Sequence, residues 1–295
     1  MPAFDATALI QVLIGGIGNG AVYGLVGLGF SLIYRSTGAV NFAQGEWVML
    51  AGMAAAAGFT ARWPLPVAAA AALVLVAAVG VLSYQIGVRR LRDPAPLLVT
   101  MVSIGIAIFT KGVVMVTLGK NPNGYPGVFG DALVRMGAVS VPAQTLIVIA
   151  ACLAFVAALH LLFARSRIGL ALRASAADAD AAALVGIPVR RMVMFSFALA
   201  AAAGAVAGLV VTPLTLISYD QGTMLGFKGF SAAMLGGIAS PLGAVAGGIV
   251  LGALEAVSSY QISSRFKDAV AFILFLLVLF ARPHGLFGRR TGERV

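Results

Sequence analysis

The sequence predicts an all-α, polytopic membrane protein with about eight or nine transmembrane helices and an inverted internal repeat. Of its 295 residues, 61% are hydrophobic and 10% are charged, and the mean hydropathy is +1.02. Soluble domains carry about 25% charged residues, so a soluble protein with a large core is excluded. The apolar runs are continuous rather than alternating, which predicts helices and not lipid-exposed strands.

Nine apolar runs are candidates for membrane spans, at roughly 20 residues for each crossing. The run at 224–240 is short and Gly-rich, so it predicts either a full span or a segment that re-enters the membrane. The whole chain, 1–295, is expected to form one transmembrane domain. The nine runs are 7–34, 42–60, 66–88, 95–118, 143–163, 192–212, 224–240, 241–262 and 266–281.

Basic residues orient these runs, because loops rich in Lys and Arg stay in the cytoplasm. If all nine runs cross, 13 of the 20 Lys and Arg residues fall on one side. The amino terminus is then outside and the carboxyl terminus is cytoplasmic. This topology explains the net charge of +10 without nucleic acid binding. The 13 residues are Arg35, Arg89, Arg90, Arg92, Arg165, Arg167, Arg173, Arg190, Arg191 and the four arginines of the tail 282–294.

The cysteine, histidine and acidic residues argue against a disulfide, a metal site and an enzyme. Cys152 is the single cysteine, and His160 and His284 are far apart, so neither an internal disulfide nor a His/Cys metal site is expected. No basic segment precedes the first run, so a cleaved signal is not expected. Paired carboxylates or a His-rich motif inside the runs would indicate an intramembrane enzyme, and neither is visible.

Two sequence matches predict the internal repeat. "GAVYGLV" at 20–26 recurs as "GAVAGLV" at 204–210, and "MLAGMA" at 49–54 recurs as "MLGGIA" at 234–239. The second match also pairs Phe42 with Phe227. The first copy begins outside and the second inside, so the repeats are inverted, as in many transporters with a pathway at the repeat interface. The halves cover about 7–118 and 192–281, joined by a cytoplasmic loop at 164–191.

Four ionisable residues fall inside the apolar runs, where each costs about 2.5–3.5 kcal/mol and is therefore a candidate for function. By the predicted topology, Glu46 lies near the inner face, and Lys111, Lys228 and Glu255 lie in the outer half. A pair between Glu255 and a lysine would either neutralise both charges or belong to a pathway.

Three polar residues, Asn41, Gln44 and Glu46, stand at the start of the second run. Asn41 and Gln44 are three residues apart and share a helix face, whereas Glu46 suits the first turn of a helix. Two interpretations remain open: a charged helix start paired with Arg35, or a polar lining or gate on the inner half of a substrate pathway. The residues assigned to a pathway are Asn41, Gln44, Glu46, Ser103 and Glu255.

The cytoplasmic loop contains a predicted short helix. Ser175 and Asp178 have the spacing of a capping box, which predicts a helix over 176–185, about 15 Å long. Gly186 suits the residue after its end, and Pro188 prevents continuation. A stiff helix flanked by arginines suits a cytosolic partner, and the alternative is a helix lying on the lipid headgroups. The residues assigned to this contact are Arg173, Ser175, Ala176, Ala177, Asp178, Leu184 and Gly186.

The chain contains no sequence motif for binding and hydrolysing a nucleotide. The nearest segment to a Walker A loop, "LGKNPNG", has Asn121 after Lys120 and lacks the first glycine at the required spacing. If ATP drives transport, the ATPase must be another chain.

Three segments in the same order resemble the permease subunits of branched-chain amino acid ABC transporters, and specifically the shorter of that system's two permeases. They are "NFAQGE", "GLALRASAADADAAALVGIPVRR" and "GFSAAMLGGIASPLGAVAGGIVLG", and the resemblance covers nearly the whole chain. It implies a multi-pass protein of the bacterial inner membrane. It also implies four kinds of partner: a second homologous permease, two cytosolic ATPases that carry ATP and Mg²⁺, a periplasmic substrate-binding protein, and the bilayer.

The same resemblance makes the loop around Ala176–Gly186 the ATPase-coupling helix. The usual Glu-Ala-Ala start of such helices reads "SAAD" here. The expected function is therefore that of a non-enzymatic permease subunit of an ATP-driven importer for branched-chain or related amino acids, working by alternating access. Three alternatives remain: cargo such as urea, short amides or aromatic acids; an ion-coupled secondary transporter; and an intramembrane enzyme.

Overall fold

The computed structural model describes residues 6–91, 95–261, 267–282 and 285–287. Arg92, Arg265 and most of the basic tail, which the charge analysis used, lie outside these residues. The described helices are α1 (Ala6–Thr37), α2 (Gln44–Thr60), α3 (Leu65–Leu82, continued by a π-helical stretch, Ser83–Val88), α4 (Pro96–Thr117), α5 (Ala143–Arg165), α6 (Arg167–Ala177), α7 (Ala179–Leu184), α8 (Val189–Val211), α9 (Gln221–Gly236), α10 (Pro241–Gln261) and α11 (Lys267–Ala281).

Each of the nine predicted runs corresponds to a helix, which confirms a polytopic helical membrane protein. Six helices are long and apolar enough to cross a membrane: α1, α3 with its π-helical stretch, α4, α5, α8 and α10. The other three, α2, α9 and α11, have 17, 16 and 15 residues. At 1.5 Å per residue they reach about 23–26 Å, less than the roughly 30 Å of a hydrocarbon core.

Helix α1 lies at the centre of the bundle and packs antiparallel to α10 through glycines. A Cβ atom on Gly20 would lie 2.6 Å from the carbonyl oxygen of Gly248, and one on Gly16 would lie 2.8 Å from that of Gly252. Only glycine permits backbones this close, which is the small-residue packing typical of membrane helices.

Helices α2 and α9 both begin after irregular segments that follow a long helix, and the start of α2 is buried inside the bundle. Gly38, with φ of 68°, turns the chain after α1, and the next residues reach the start of α2 through the buried Ala39, Asn41 and Ala43. Residues 212–220 likewise connect α8 to α9 and include the buried Ile217, whose backbone pairs with that of Asn123. The buried carbonyl and amide groups are tolerated because protein surrounds them.

The helix contacts have the pattern that an inverted repeat requires. Helix α1 packs against α8, α9 and α10, whereas α8 packs against α1, α2 and α3. Exchanging α1 with α8, α2 with α9 and α3 with α10 reproduces these contacts. The division into halves at 7–118 and 192–281 stays a prediction.

The second of the two predicted sequence matches has the wrong register. Residues 49–54 lie in the middle of α2, whereas 234–239 cover the end of α9 and the turn after it. The helices instead correspond at an offset of 177, which pairs Gln44–Gly45 with Gln221–Gly222 at the helix starts. Pro64–Leu65 and Pro241–Leu242 match at the same offset.

The end of α9 indicates its direction. The carbonyl oxygens of Leu235 and Gly236 accept hydrogen bonds from the N–H groups of Leu286 and Phe287, which follow α11. Helix α9 therefore ends on the side where the carboxyl-terminal residues lie. It ends at Gly237, with φ of 100°, and not at 240 as the run predicted.

A short hairpin between α4 and α5 was not predicted. Its strands, β1 (Leu133–Met136) and β2 (Val139–Pro142), pair antiparallel, and Gly137 turns between them with φ of 65°. Its eight strand residues are too few to have stood out against the apolar runs.

Candidate functional site

The starts of α2 and α9 meet inside the bundle. A Cβ atom on Gly45 would meet the carbonyl oxygen of Gly222 and would lie 2.6 Å from the Cα atom of Gly226. One residue further along each helix, the Thr223 hydroxyl donates to Oε1 of Glu46 over 2.8 Å. Two contacts between residues 177 apart are expected beside a two-fold axis that relates α2 to α9.

A cavity of about 400 Å³ lies beside this junction, between α2, α4 and α9. Its polar lining comes from Glu46, Lys111 and Thr223. Glu46 is only 3% exposed, and its Oε2 has no hydrogen-bond partner in the part of the chain that the structure describes. The remaining lining residues are apolar or lack a polar side chain: Phe42, Ile104, Ala107, Ile108, Gly226 and Phe227.

Lys111 reaches the cavity from α4. Its Nζ lies 5.7 Å from the centroid of the Tyr219 ring, a cation–π distance. Among the described residues Lys111 forms no salt bridge, with Glu46 or with any other carboxylate. The cavity therefore contains one carboxylate and one ammonium group that do not neutralise each other by contact.

Gln44 and Asn41 do not line this cavity. The Gln44 Nε2 donates to the carbonyl oxygen of Ala200 over 2.9 Å, and the Asn41 Oδ1 accepts from the N–H of Ala43 over 3.2 Å. Gln44 also packs against Gly29 and Gly204. These two side chains hold the start of α2 in place, and only Glu46 of the predicted trio faces the cavity.

The predicted depth of these residues is wrong. Gln44 contacts Ala200 and Gly204, which lie in the middle of α8 (Val189–Val211) and not near either of its ends. The sequence placed this segment near the inner face, because it cannot show that residues 38–43 lead back into the bundle. The alternative pairing of Glu46 with Arg35 is not formed either, since the described residues contain no such salt bridge.

Ser103 supports the segment that leads into α2. Its hydroxyl donates to the carbonyl oxygen of Thr100 over 2.7 Å and accepts from the N–H of Phe42 over 3.0 Å. Ser103 is buried, so it positions Phe42 at the cavity wall rather than facing the cavity itself.

Glu255 belongs to a separate charged cluster. Lys228 of α9 lies 2.8 Å from Glu255 Oε1, 2.7 Å from Asp268 Oδ1 and 3.2 Å from the hydroxyl of Tyr23. The structure thus forms the expected pair of Glu255 with a lysine, and it adds two partners that the sequence analysis missed. Asp268 lies at the start of the last apolar run, and its charge was the only feature of the sequence that could have identified it as a partner of Lys228.

Glu255 also borders a groove between α1 and α10. This groove has a volume of about 420 Å³ and includes Asn19, Ser259 and Tyr260. Glu255 and Lys111 therefore lie at different places in the bundle, and the structure does not bring Glu255 together with Glu46.

The loop at 164–191, predicted to be cytoplasmic, forms two helices instead of one. Ser175 lies inside α6, so the predicted capping box is wrong, and the cap of α7 is Asp178, whose Oδ1 accepts from the N–H of Ala181 over 2.9 Å. The helix is therefore Ala179–Leu184 and not 176–185. Gly186 ends it with φ of 83°, as the sequence predicted.

The far end of α7 is apolar and exposed. The side chains of Leu184 and Val185 are 89% and 76% exposed, although both are aliphatic. Arg173, Ala177 and Asp178 are also exposed, whereas Ser175 and Ala176 are half-buried.

Comparisons with known proteins agree on one family. The family model described as "Branched-chain amino acid transport system / permease component" matches residues 12–279. The high-affinity branched-chain amino acid transport permease LivH of Escherichia coli K12 is 35% identical over 97% of both chains. BraD of Pseudomonas aeruginosa, with the same description, is 32% identical over 97% of this chain and 98% of its own.

One solved structure shares the fold. It is PsaBC from Streptococcus pneumoniae in complex with Fab, with a TM-score of 0.52, 15% identity, and coverage of 93% of this chain and 92% of its own. No group of three metal-ligating side chains occurs among the residues that the structure describes.

Proposed function

We propose a function for this chain from its family, since it belongs to the branched-chain amino acid transport permeases. It is the membrane subunit of an ATP-driven importer for branched-chain or related amino acids. The relatives that cover 97% of the chain are high-affinity permeases for branched-chain amino acids, and this supports the choice of cargo. Urea, short amides and aromatic acids remain alternative cargoes.

The importer would contain a second homologous permease, two cytosolic ATPases and a substrate-binding protein outside the membrane. ATP and Mg²⁺ would bind to the ATPases, and this chain would hold no cofactor and catalyse no reaction. The basic segments at Arg35, Arg89–Arg90 and Arg165–Arg191 support an amino terminus outside and a carboxyl terminus in the cytoplasm of a bacterial cell.

The observation that carries the coupling to separate ATPases is the exposed end of α7. Leu184 and Val185 project two aliphatic side chains beyond a helix fixed by Asp178 at one end and Gly186 at the other. Two exposed aliphatic side chains on a short capped helix suit a pocket on a protein partner. Movement of that partner would be transmitted through α6 and α7 to α5 and α8, which α6 contacts directly.

An ion-coupled secondary transporter is the second candidate, because inverted repeats also occur in that class. Such a carrier works alone and gives the exposed α7 no partner. The two functions therefore differ in whether α7 binds an ATPase.

Purification of the tagged chain from its own membranes tests the proposal. Wild type is expected to bring down a second permease and ATPase chains, and Leu184→Asp is expected to lose the ATPases and the ATP-driven uptake of labelled leucine. Val128→Asp is the matched control, since Val128 is also strongly exposed, at 67%, but lies in the loop between α4 and α5. Uptake by the chain alone, driven by an ion gradient without ATP, would contradict the proposal.

A further inference from the structure

We propose that the cavity between α2, α4 and α9 binds the zwitterionic head group of an apolar amino acid, with Glu46 contacting the α-ammonium and Lys111 the α-carboxylate. The proposal rests on the proposed function, since it assigns a site to the cargo of that importer. The site includes Lys111 and Thr223, which the sequence did not assign to a pathway.

The carboxylate of Glu46 is only partly satisfied by hydrogen bonds. The Glu46 side chain lines the cavity, and Thr223 donates to its Oε1, whereas its Oε2 is buried against Gly222 and has no hydrogen-bond partner among the described residues. A buried carboxylate without a cation beside it is costly, and an ammonium group in the cavity would offset the charge of Glu46. The α-ammonium is the group that every amino acid could place beside Glu46.

The second argument is the spacing of opposite charges. Glu46 and Lys111 line the same cavity, yet they form no salt bridge with each other. The aromatic ring of Tyr219 holds Lys111 Nζ at 5.7 Å from its centroid, which leaves the ammonium free to contact an anion. A ligand that carries both charges on neighbouring atoms can bridge the two residues, whereas a singly charged ligand leaves one unpaired.

The third argument is the lining and size of the cavity. Phe42, Ile104, Ile108 and Phe227 form apolar walls around the charged residues. A volume of about 400 Å³ lies in the range of about 300–1,000 Å³ that small-molecule sites occupy. The cavity therefore suits an amino acid with an aliphatic side chain better than one with a polar side chain.

The geometry of the helix starts supports the same ligand. Helices α2 and α9 both direct their amino-terminal ends to this junction, where Gly45 and Gly222 allow them to meet. The positive ends of two helix dipoles stabilise the ionised form of Glu46, which the proposal requires. Transporters with broken helices commonly place substrate head groups at such ends.

The decisive experiment measures uptake of labelled leucine by the complete importer in proteoliposomes, at saturating binding protein. Glu46→Gln keeps an oxygen that accepts from Thr223 and removes only the charge, and Lys111→Met removes the ammonium. Each variant is expected to lower uptake by about tenfold or more, as the loss of a charged hydrogen bond does. Lys120→Met, which removes an exposed lysine from the outer loop, is the control and is expected to transport normally.

A second measurement keeps the proposal falsifiable if a charge variant assembles poorly. Leucine is expected to raise the melting temperature of the purified complex without binding protein, as a ligand of the folded state does. Isocaproate, which lacks the ammonium, and isoamylamine, which lacks the carboxylate, should leave it unchanged. Phe227→Trp, at a half-exposed position on the cavity wall, should remove the leucine effect without altering either charge.

The failures of the two proposals are distinguishable. If wild type takes up leucine and both charge variants match it, or if isocaproate and isoamylamine stabilise the complex as well as leucine does, the cavity is not the head-group site and the importer assignment stands. If the wild-type complex with its binding protein takes up no amino acid at all, the proposed function itself is overturned.

Discussion

Gly45 and Gly222 face each other at the starts of α2 and α9, with no side chain between the two backbones. A Cβ atom at either position would meet the backbone of the other helix or the carboxylate of Glu46. This contact fixes where the two short helices begin, and it brings Glu46 to Thr223 at the edge of the cavity.

Replacing Gly45 with valine is expected to destabilise the protein by about 1–3 kcal/mol, because overpacking forces the two helix starts apart. The measurement is the melting temperature of the purified complex, with abundance in the membrane as a second readout. Gly112→Ala in α4 is the control, since a Cβ there meets nothing within 4 Å. Equal melting temperatures for the two variants would mean that α2 and α9 can separate without cost.

Replacing Lys228 with methionine is expected to destabilise the bundle by about 3–5 kcal/mol, because it leaves the buried Glu255 and Asp268 without their shared cation. Adding Glu255→Gln to this variant should restore part of the loss, since it removes the charge of one of the two carboxylates that lost the Lys228 ammonium. Thermal unfolding of the single and double variants measures the difference. A double variant less stable than Lys228→Met would contradict a role of the cluster in charge neutralisation.

Replacing Asp178 with alanine is expected to destabilise α7 by about 0.5–2 kcal/mol, because the N–H of Ala181 loses its cap. Hydrogen exchange of residues 179–184 should rise, and ATP-driven uptake should fall with it. Ser175→Ala is the matched control, because Ser175 lies within α6 and caps nothing. Faster exchange in the Ser175 variant would restore the capping box that the sequence predicted.

Cysteine labelling in whole cells tests the proposed orientation. Val128→Cys should react with a membrane-impermeant maleimide, and Leu184→Cys should react only after the cells are opened. Both positions are exposed, and the native Cys152 is buried in α5 and should stay unreactive. Labelling of position 184 in intact cells would reverse the topology and with it the contact of α7 with cytosolic ATPases.

Each hydrophobic run corresponds to a helix, but the runs did not predict which helices are long enough to cross a membrane, and they predicted helix ends less well. A run records which residues can face lipid or a packed interior, and it does not record where the chain turns. The run at 224–240 extended past Gly237, because the apolar residues after this glycine continue the pattern although its positive φ ends the helix.

The capping signals of the cytoplasmic loop were similarly ambiguous. Both Ser175 and Asp178 are good N-cap residues, and each stands before a stretch of helix-forming alanines. The structure selects Asp178, since α6 continues through Ser175 and ends at Ala177. Helix α6 packs against α5 and α8 and runs two residues beyond Ser175.

Composition and charge by themselves determined the class of this protein and its helical runs, because membrane burial and loop charge act on each segment separately, and the resemblance of three segments indicated the family. Only the tertiary structure decided what the polar residues do. Asn41, Gln44 and Glu46 are close in sequence, yet Gln44 binds α8, Asn41 caps its own segment and Glu46 faces a cavity shared with α4 and α9. The partners of Gln44 and Glu46 lie between about 60 and 180 residues away, and pairings at that distance depend on how the helices pack and not on any local pattern.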